Sequence, residues 1–377
     1  MWNRVHLLYF SRDYTTHDHR FLSALAKTEH KVSYLRLENA GQTYESRSLP
    51  PEIRQIPWVG GQTTARFRDG LRLVRGLRSV LRQENPDVVL AGPIQRSAFL
   101  TALVGFRPLI SMSWGYDLLH DVNQNRWWRW ATRYTLQRSA AMVGDCDTIR
   151  NLAVQHGMAK DRIVTFPWGA DIRTYTPARV LKHETALRQR KGWGADTIVL
   201  LSTRSWSPLY GVEDLARAFV RAARQRPELR LFMLGGGPLS STIKRIIQSA
   251  NMLDRVHFPG QINQNELPAY YQAADLYIST SHSDGTSISL LEALASGTPV
   301  LLTDIPGNLE WVPEQGRVGW TFPDGDASAL EKAILHAVQQ QDRLSTMGRA
   351  ARQLAEERGD WHKNFPKLQD AFEIVQR

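Results

Sequence analysis

The sequence predicts an α/β protein of two parallel-sheet domains in tandem, facing across a cleft. Three observations carry that expectation. The 377 residues, 42% of them hydrophobic, exceed what one ordinary core holds and suit two domains of roughly 150 to 200 residues. Short β-rich apolar runs alternate with longer helical patterns, in one series and then in a second. Between the series lies the polar stretch "PARVLKHETALRQRKGWG" (177–194), the expected hinge.

In order, the first series is "RVHLLYF" and the helical "HRFLSALAK", "DVVLAG" and the helical "SAFLTALVG", then "LISMSW", "AAMVG" and "IVTFPWG". The second is "TIVLLSTR", "LRLFMLGGG", "VHFPG", "DLYIST" and "PVLLTD", each with a helix-like segment behind it. Open parallel sheets place ligands at the carboxyl ends of their strands, so functional motifs are expected just after strands. The expected boundaries are 1–177 for the first domain and 178–360 for the second.

The single cysteine, Cys146, allows neither an internal disulfide nor a cysteine metal site, and a reducing, cytoplasmic setting follows as the expectation. No apolar run approaches the roughly 20 residues that span a bilayer, and the start "MWNRVHLLYFSRD" reads as a buried first strand, not a signal peptide.

The net charge of +10 is unevenly spread: residues 1–177 hold 24 Lys and Arg against 15 Asp and Glu, whereas residues 178–377 hold 23 against 22. An anionic partner for the first half would explain this, and so would a merely soluble basic surface. At 100° per residue, "RFRDGLRLVRGLRSVLR" (66–82) puts Arg68, Arg72, Arg75, Arg78 and Arg82 on one arc and Phe67, Val74, Leu77 and Leu81 opposite. "RWWRWATRYTLQR" (126–138) adds three Trp among arginines. Both segments suit an anionic membrane surface, with a helix packed on its own sheet as the plain alternative. No nucleic-acid-binding motif accompanies the charge.

The second series holds the densest constellation, "SDGTSISLLEALASGTPVLLTD" (283–304). A loop leads from a strand into a helical pattern carrying Ile288, Leu291, Leu294 and Ala295, and Gly297 and Pro299 end it. Gly285 permits close backbone approach, while Thr286, Ser287 and Ile288 aim amides outward, as a phosphate site requires. Glu292, about two turns further along, suits a ribose diol rather than the phosphate, since like charges repel. Asp284 would accept hydroxyls of whatever lies beyond the phosphates. An N-cap Asp and an ordinary surface Glu are the alternatives. Arg204 ends "LLSTR", where a guanidinium can neutralise a diphosphate leaving group. "GGGP" (235–238), with Gly236 at its centre, follows another strand and lacks the spacing of a dinucleotide fingerprint.

Taken together, "STRSWSPLYGVEDLARAF", "LRLFMLGGGPL" and the run from "VHFPGQINQ" to "DIPGNLEWV" resemble the C-terminal half of a family 4 glycosyltransferase. "WGYDLL" (114–119) and "FPWGAD" (166–171) are similar to that family's HGxD and PNGvD segments, and Asp284 and Glu292 occupy the ends of its E-x7-E motif. The resemblance implies the GT-B fold with two Rossmann-like domains. It also implies a final helix, 361–377, crossing back to the N-terminal domain. A nucleotide-sugar, UDP- or GDP-linked, would be held by the second domain, and transfer would retain anomeric configuration without metal or cofactor. Glu292 becomes the ribose ligand, Asp284 the acceptor of donor-sugar hydroxyls, Arg204 a diphosphate contact, and Gly285 to Ile288 contacts for sugar and phosphate. Asp117, last in "WGYD", is expected near the acceptor hydroxyl or the sugar, with a capping role equally open.

The chain departs from the family at three positions. Asp284 stands where Glu is usual, Tyr210 where a Lys joins the phosphate-binding Arg, and Trp114 where the HGxD segment has His. "RDYTTHDHR" (12–20) follows the first strand, which makes Tyr14, Thr15 and His17 acceptor or donor contacts, or simply a helix cap. Two Asp-x-Asp strings, "DCD" (145–147) and "DGD" (324–326), precede helical patterns, so N-capping is expected of them rather than metal binding. The expected activity is sugar transfer to a glycan or a glycolipid-type acceptor, in the cytoplasm or at the inner face of the membrane. Sugar epimerisation on the same fold and nucleotide-sugar binding without catalysis are the rivals.

Overall fold

The computed structural model describes residues 4–39, 41, 45–178 and 185–376. Part of the expected hinge, 179–184, and the side chain of Phe67 lie outside the described residues. The chain forms two compact units, 1–166 with 365–377, and 167–364.

The first unit is a seven-stranded parallel sheet of order β3-β2-β1-β4-β5-β6-β7. Its strands are β1 (His6–Ser11), β2 (Lys31–Arg36), β3 (Arg54–Gln55), β4 (Val88–Gly92), β5 (Leu109–Met112), β6 (Ala141–Gly144) and β7 (Ile163–Thr165). Its helices include α1 (Thr16–Leu25), α2 (Gly70–Glu84), α3 (Phe99–Val104), α4 (Tyr116–Leu119), α5 (Arg126–Arg138) and α6 (Asp147–Gln155). Neither β2 nor β3 stands among the runs picked out by apolar pattern: "KVSYLR" mixes charged and small polar residues with its apolar ones, and β3 is two exposed residues. The basic amphipathic segment also starts later than expected, because Phe67–Asp69 is a 3-10 turn and the α-helix begins at Gly70.

The second unit is a six-stranded parallel sheet of order β10-β9-β8-β11-β12-β13. The strands are β8 (Ile198–Ser202), β9 (Leu229–Met233), β10 (Val256–His257), β11 (Leu276–Ser279), β12 (Val300–Thr303) and β13 (Gly319–Phe322). Its helices are α7 (Ala186–Arg190), α8 (Val212–Gln225), α9 (Ser240–Ser249), α10 (Leu267–Ala273), α11 (Ile288–Ala295), α12 (Pro306–Leu309), α13 (Ala327–Gln339), α14 (Gln341–Arg358) and α15 (Trp361–Asn364). Side chains alternate across β8, so Ile198 and Leu200 join the layer under α8, α9 and α13, while Val199 and Leu201 join the layer under α10, α11 and α14. Both faces are covered, which is why these strands read as continuous apolar runs. Fully burying Leu215 and Phe219 of α8 contributes about 1.5 to 3 kcal/mol each.

The border between the units falls at Phe166/Pro167, not at 177, and the returning segment starts at Phe365, not at 361. Backbone pairing is the reason. Ala170 N donates to Gly359 O (2.7 Å) and Trp361 N to Ala170 O (3.0 Å), while Asn364 Nδ2 donates to Pro167 O (2.8 Å). Gly169 adopts φ +71°, and a Cβ there would meet Trp361 N at 2.5 Å, so only glycine fits this crossing. Arg352 also donates to Ile172 O (3.1 Å) and Tyr175 O (2.8 Å), fixing 167–178 to the second unit. The last helix, α16 (Leu368–Gln376), packs on β5, β6 and β7 of the first unit.

Candidate functional site

In the second unit, β8 and β11 are neighbours, so the segments after their carboxyl ends meet. Arg204, two residues past β8, donates to Asp284 Oδ2 (2.6 Å), Ser287 Oγ (2.6 Å) and Ser289 Oγ (3.1 Å). Its guanidinium lies 4.2 Å from the centroid of the Tyr210 ring. The Arg204 side chain is 12% exposed and that of Asp284 21%, so this is a partly shielded ion pair. Burial works against the charge of Arg204, but Asp284 and the phenols of Tyr277, Tyr210 and Tyr271 together hold its pKa above the ordinary value. Burial pushes the Asp284 carboxyl up, against the pull of Arg204 and of the Gly285 amide.

These positions remove the plain alternatives for this site. Ser287, not Asp284, is the N-cap residue of α11, and its hydroxyl makes no capping bond because it receives Arg204 instead. Glu292 is 5% exposed and accepts from Tyr271 Oη at 2.9 Å. Burial, then the charge of Glu292, keeps the Tyr271 phenol protonated and therefore a donor. Tyr271 also reaches Ser289 O (3.2 Å), and Tyr277 Oη donates to Ser289 Oγ (2.9 Å), so one hydrogen-bonded system runs from Arg204 to Glu292.

The loop before α11 is held by its neighbours. Trp311 Nε1 donates to Thr286 Oγ1 (3.3 Å), and Gly307 packs so tightly that a Cβ would strike the carbonyl oxygens of Gly285 and Asp284. Gly285, Thr286 and Ser287 are buried, and Ile288 opens the helix, whose first-turn amides have no intrahelical acceptor. Gly236 lies beside the loop after β8 that carries Arg204: Trp206 N donates to its carbonyl (2.9 Å), and Gly235, at φ +92°, crosses Arg204 O. The tertiary contacts thus bring together Arg204, Tyr210, Asp284, Ser287 and Glu292, with Gly236 next to them.

Sequence reasoning missed Tyr271, Tyr277 and Ser289. Ser289 was within reach, two residues past Ser287 in "TSIS". The tyrosines belong to α10 and β11, where their rings read as core and only tertiary packing aims their hydroxyls.

In the first unit, Thr15 N-caps α1 and forms a capping box with Asp18, which Tyr9 also reaches (3.1 Å). Tyr14 Oη pairs with His19 Nδ1 (2.7 Å), and burial raises its pKa to about 12. His17 lies against the Trp114 ring (centroids 5.2 Å), which meets Phe21 edge-on. Asp117 is fully buried and accepts from Ser113 Oγ (2.5 Å), Ile94 N (3.0 Å), Leu118 N (3.0 Å) and Trp114 N (3.3 Å). From the first turn of α4, whose N-cap residue is Gly115, its carboxylate clasps the "SWGYD" loop and ties it to the Ile94 backbone. Burial lifts Asp117 and Asp18 to about 6 each.

Among the described residues no three His, Cys, Asp or Glu side chains gather as a metal site. Asp326 of "DGD" caps α13 by accepting from Ser328 N (2.9 Å) and Ala329 N (2.8 Å). In "DCD" the N-cap residue of α6 is Cys146, with no side-chain capping bond, and Asp147 stands in the first turn.

Two family descriptions match the chain: "Glycosyl transferases group 1" over residues 183–354 and "Glycosyl transferase 4-like domain" over residues 15–169. The chain is 27% identical over 244 residues to the GDP-mannose-dependent alpha-(1-6)-phosphatidylinositol monomannoside mannosyltransferase of Mycolicibacterium smegmatis, covering 63% of this chain and 59% of that protein. It is 30% identical over 220 residues to the D-inositol 3-phosphate glycosyltransferase of Kineococcus radiotolerans, covering 54% and 50%. The matches therefore span between half and three-fifths of those relatives' length. In fold, the chain is similar to a sucrose-phosphate synthase from Thermosynechococcus elongatus, with TM-score 0.77, 18% identity and coverage of 99% and 98%. It is likewise similar to Anabaena HepE solved with UDP and glucose, with TM-score 0.76, 18% identity and 99% of each chain covered.

Proposed function

Because the chain belongs to the glycosyl transferases of group 1, in their two-domain family 4 form, we propose that it moves a sugar from a nucleotide-sugar donor to a glycan or glycolipid-type acceptor. The observation that carries this reading is the partly shielded hydrogen-bonded system joining Arg204, Asp284, Ser287 and Glu292 at the start of α11. A guanidinium and a helix N-terminus suit a diphosphate, and a buried carboxylate one turn further on suits a ribose diol. UDP- and GDP-sugars are the donors of choice, in line with the GDP-mannose dependence named for one relative and the UDP held by a protein of similar fold.

In this reading the transfer retains configuration and needs neither metal nor cofactor. The acceptor oxygen bonds to the anomeric carbon as the bond to the diphosphate breaks, and the departing diphosphate oxygen takes the acceptor's proton. Arg204 and the α11 amides stabilise the charge that develops on the leaving group. Asp284 holds hydroxyls of the donated sugar and Glu292 the ribose. Tyr14, Thr15, His17 and Trp114 belong to the acceptor side, with Asp117 shaping their loop. The work is cytoplasmic, at the inner face of a membrane where the acceptor is lipid-linked.

The test is release of nucleoside diphosphate from UDP- and GDP-sugars, with acceptor, in the presence of EDTA. Release is expected from wild type and is expected to fall at least a hundredfold in Arg204→Ala. Full turnover in Glu292→Gln would sink the ribose assignment, and product formed with no acceptor would favour the epimerase.

A further inference from the structure

The first unit carries a surface that the transfer reaction does not use. Helices α2, α3 and α5 lie side by side, and Val74, Val104, Phe106 and Tyr134 from these helices and the turn after α3 pack on one shared core. Arg72, Arg75, Arg78 and Arg82 of α2 are exposed, and the helix's one acid, Glu84, is paired with Arg54. On α5, Arg126, Arg129 and Arg133 are exposed and there is no acid at all. Two indoles stand among them, Trp127 at 39% and Trp130 at 48% exposure, and Leu71 at the start of α2 is 75% exposed.

The indoles are held at the surface rather than merely left over. Trp127 and Trp130 both meet Phe99 edge-on, at 5.6 and 5.7 Å, and Trp130 leans on Tyr134 at 5.2 Å. Arg96 and Arg138 cover the neighbouring rings of Trp128 and Tyr134. An apolar ring platform ringed by guanidinium groups matches the boundary between headgroups and acyl chains, where indoles settle and cations meet lipid phosphates.

We propose that the α2–α3–α5 face docks on an anionic lipid bilayer, with α2 supplying a salt-sensitive attraction and the Trp127–Trp130 pair a salt-insensitive insertion. Charge complementarity selects the anionic leaflet, and the exposed indoles and Leu71 select a bilayer over a purely polar polyanion. The inference stands on the first unit alone and not on the donor site, so vesicle binding and sugar transfer can fail separately.

The experiment is co-sedimentation of the full chain with vesicles of phosphatidylcholine, with and without one-third phosphatidylglycerol, at low and high salt. Binding is expected to be at least tenfold stronger on the anionic vesicles at low salt. Arg72→Glu with Arg75→Glu should abolish that preference. Trp127→Ser with Trp130→Ser should remove the binding that persists at high salt, together with quenching by brominated lipid. The arginine variant changes exposed residues and should melt like wild type, whereas the tryptophan variant loses ring contacts with Phe99 and Tyr134 and should melt lower, with an unchanged far-UV circular dichroism spectrum as its folding control. Equal binding to both vesicle types, unchanged binding by both variants, or stronger binding to single-stranded RNA than to anionic vesicles would overturn the proposal.

Discussion

Arg204 donates to the Asp284 carboxylate at 2.6 Å across 80 residues of sequence, and this pair determines how a diphosphate would enter the site. A bound diphosphate has to share or displace the carboxylate that already neutralises the guanidinium. Asp284→Ala is therefore expected to separate two quantities. Affinity for free nucleoside diphosphate should stay equal or rise, because Arg204 is released. Transfer should fall about a hundredfold or more, because the sugar loses a hydroxyl acceptor. Leaving the partly shielded guanidinium without that acceptor should also cost about 1 to 3 kcal/mol of stability. Calorimetric titration of the diphosphate beside steady-state kinetics checks both, and weakened diphosphate binding would contradict this account.

Tyr210 presents a ring face 4.2 Å from the Arg204 guanidinium. A cation–π contact is worth about 0.5 to 2 kcal/mol. Tyr210→Leu should raise the donor KM roughly 2- to 30-fold on that basis, whereas Tyr210→Phe, which keeps the ring, should leave it nearly unchanged. Kinetics of the two variants side by side decide between the ring and the hydroxyl.

The buried Glu292 carboxylate receives the Tyr271 hydroxyl at 2.9 Å. Tyr271→Phe removes that donor, at a cost of about 1 to 3 kcal/mol. A lower melting temperature and a raised donor KM are expected, with nucleotide restoring more stability to wild type than to the variant.

Asp18 and Asp117 in the first unit both titrate near 6, above the ordinary 3.8, because burial disfavours their charged forms. Between pH 4 and 6 the folded state then binds more protons than the unfolded one, so their contribution is present in full below about 3.8 and is lost as pH rises through about 6. The melting-temperature advantage of wild type over Asp18→Asn should accordingly be larger at pH 4.5 than at pH 7.5, by an amount equivalent to about 1 to 3 kcal/mol. The opposite trend would show that hydrogen bonds to the carboxylate outweigh its burial.

Much of the candidate site was legible because it is local: Asp284, Gly285, Ser287 and Glu292 sit in one strand-loop-helix stretch whose pattern alone places them at a sheet's carboxyl edge. Arg204 could be assigned to the end of a neighbouring strand without knowing what it would touch. The short strands escaped notice for two reasons: β3 and β13 are edge strands of two and four residues, and β2, though paired on both sides, interrupts its apolar residues with Lys31, Ser33 and Arg36. The true border at Pro167 was illegible too, since it depends on backbone pairing between Ala170 and the distant Gly359 and Trp361.

By itself, then, the sequence determined the two parallel-sheet units, the strand ends that carry chemistry, and the basic, tryptophan-bearing helices of the first unit. These follow from periodicity, spacing and charge, which act over a few residues. Only the tertiary structure decided that Asp284 answers Arg204 rather than capping a helix, and that Asp117 joins its own loop to the Ile94 backbone. It also decided that Tyr271 guards Glu292. Each of these depends on which groups burial leaves to satisfy one another once strands distant in sequence lie side by side, and no local pattern records that choice.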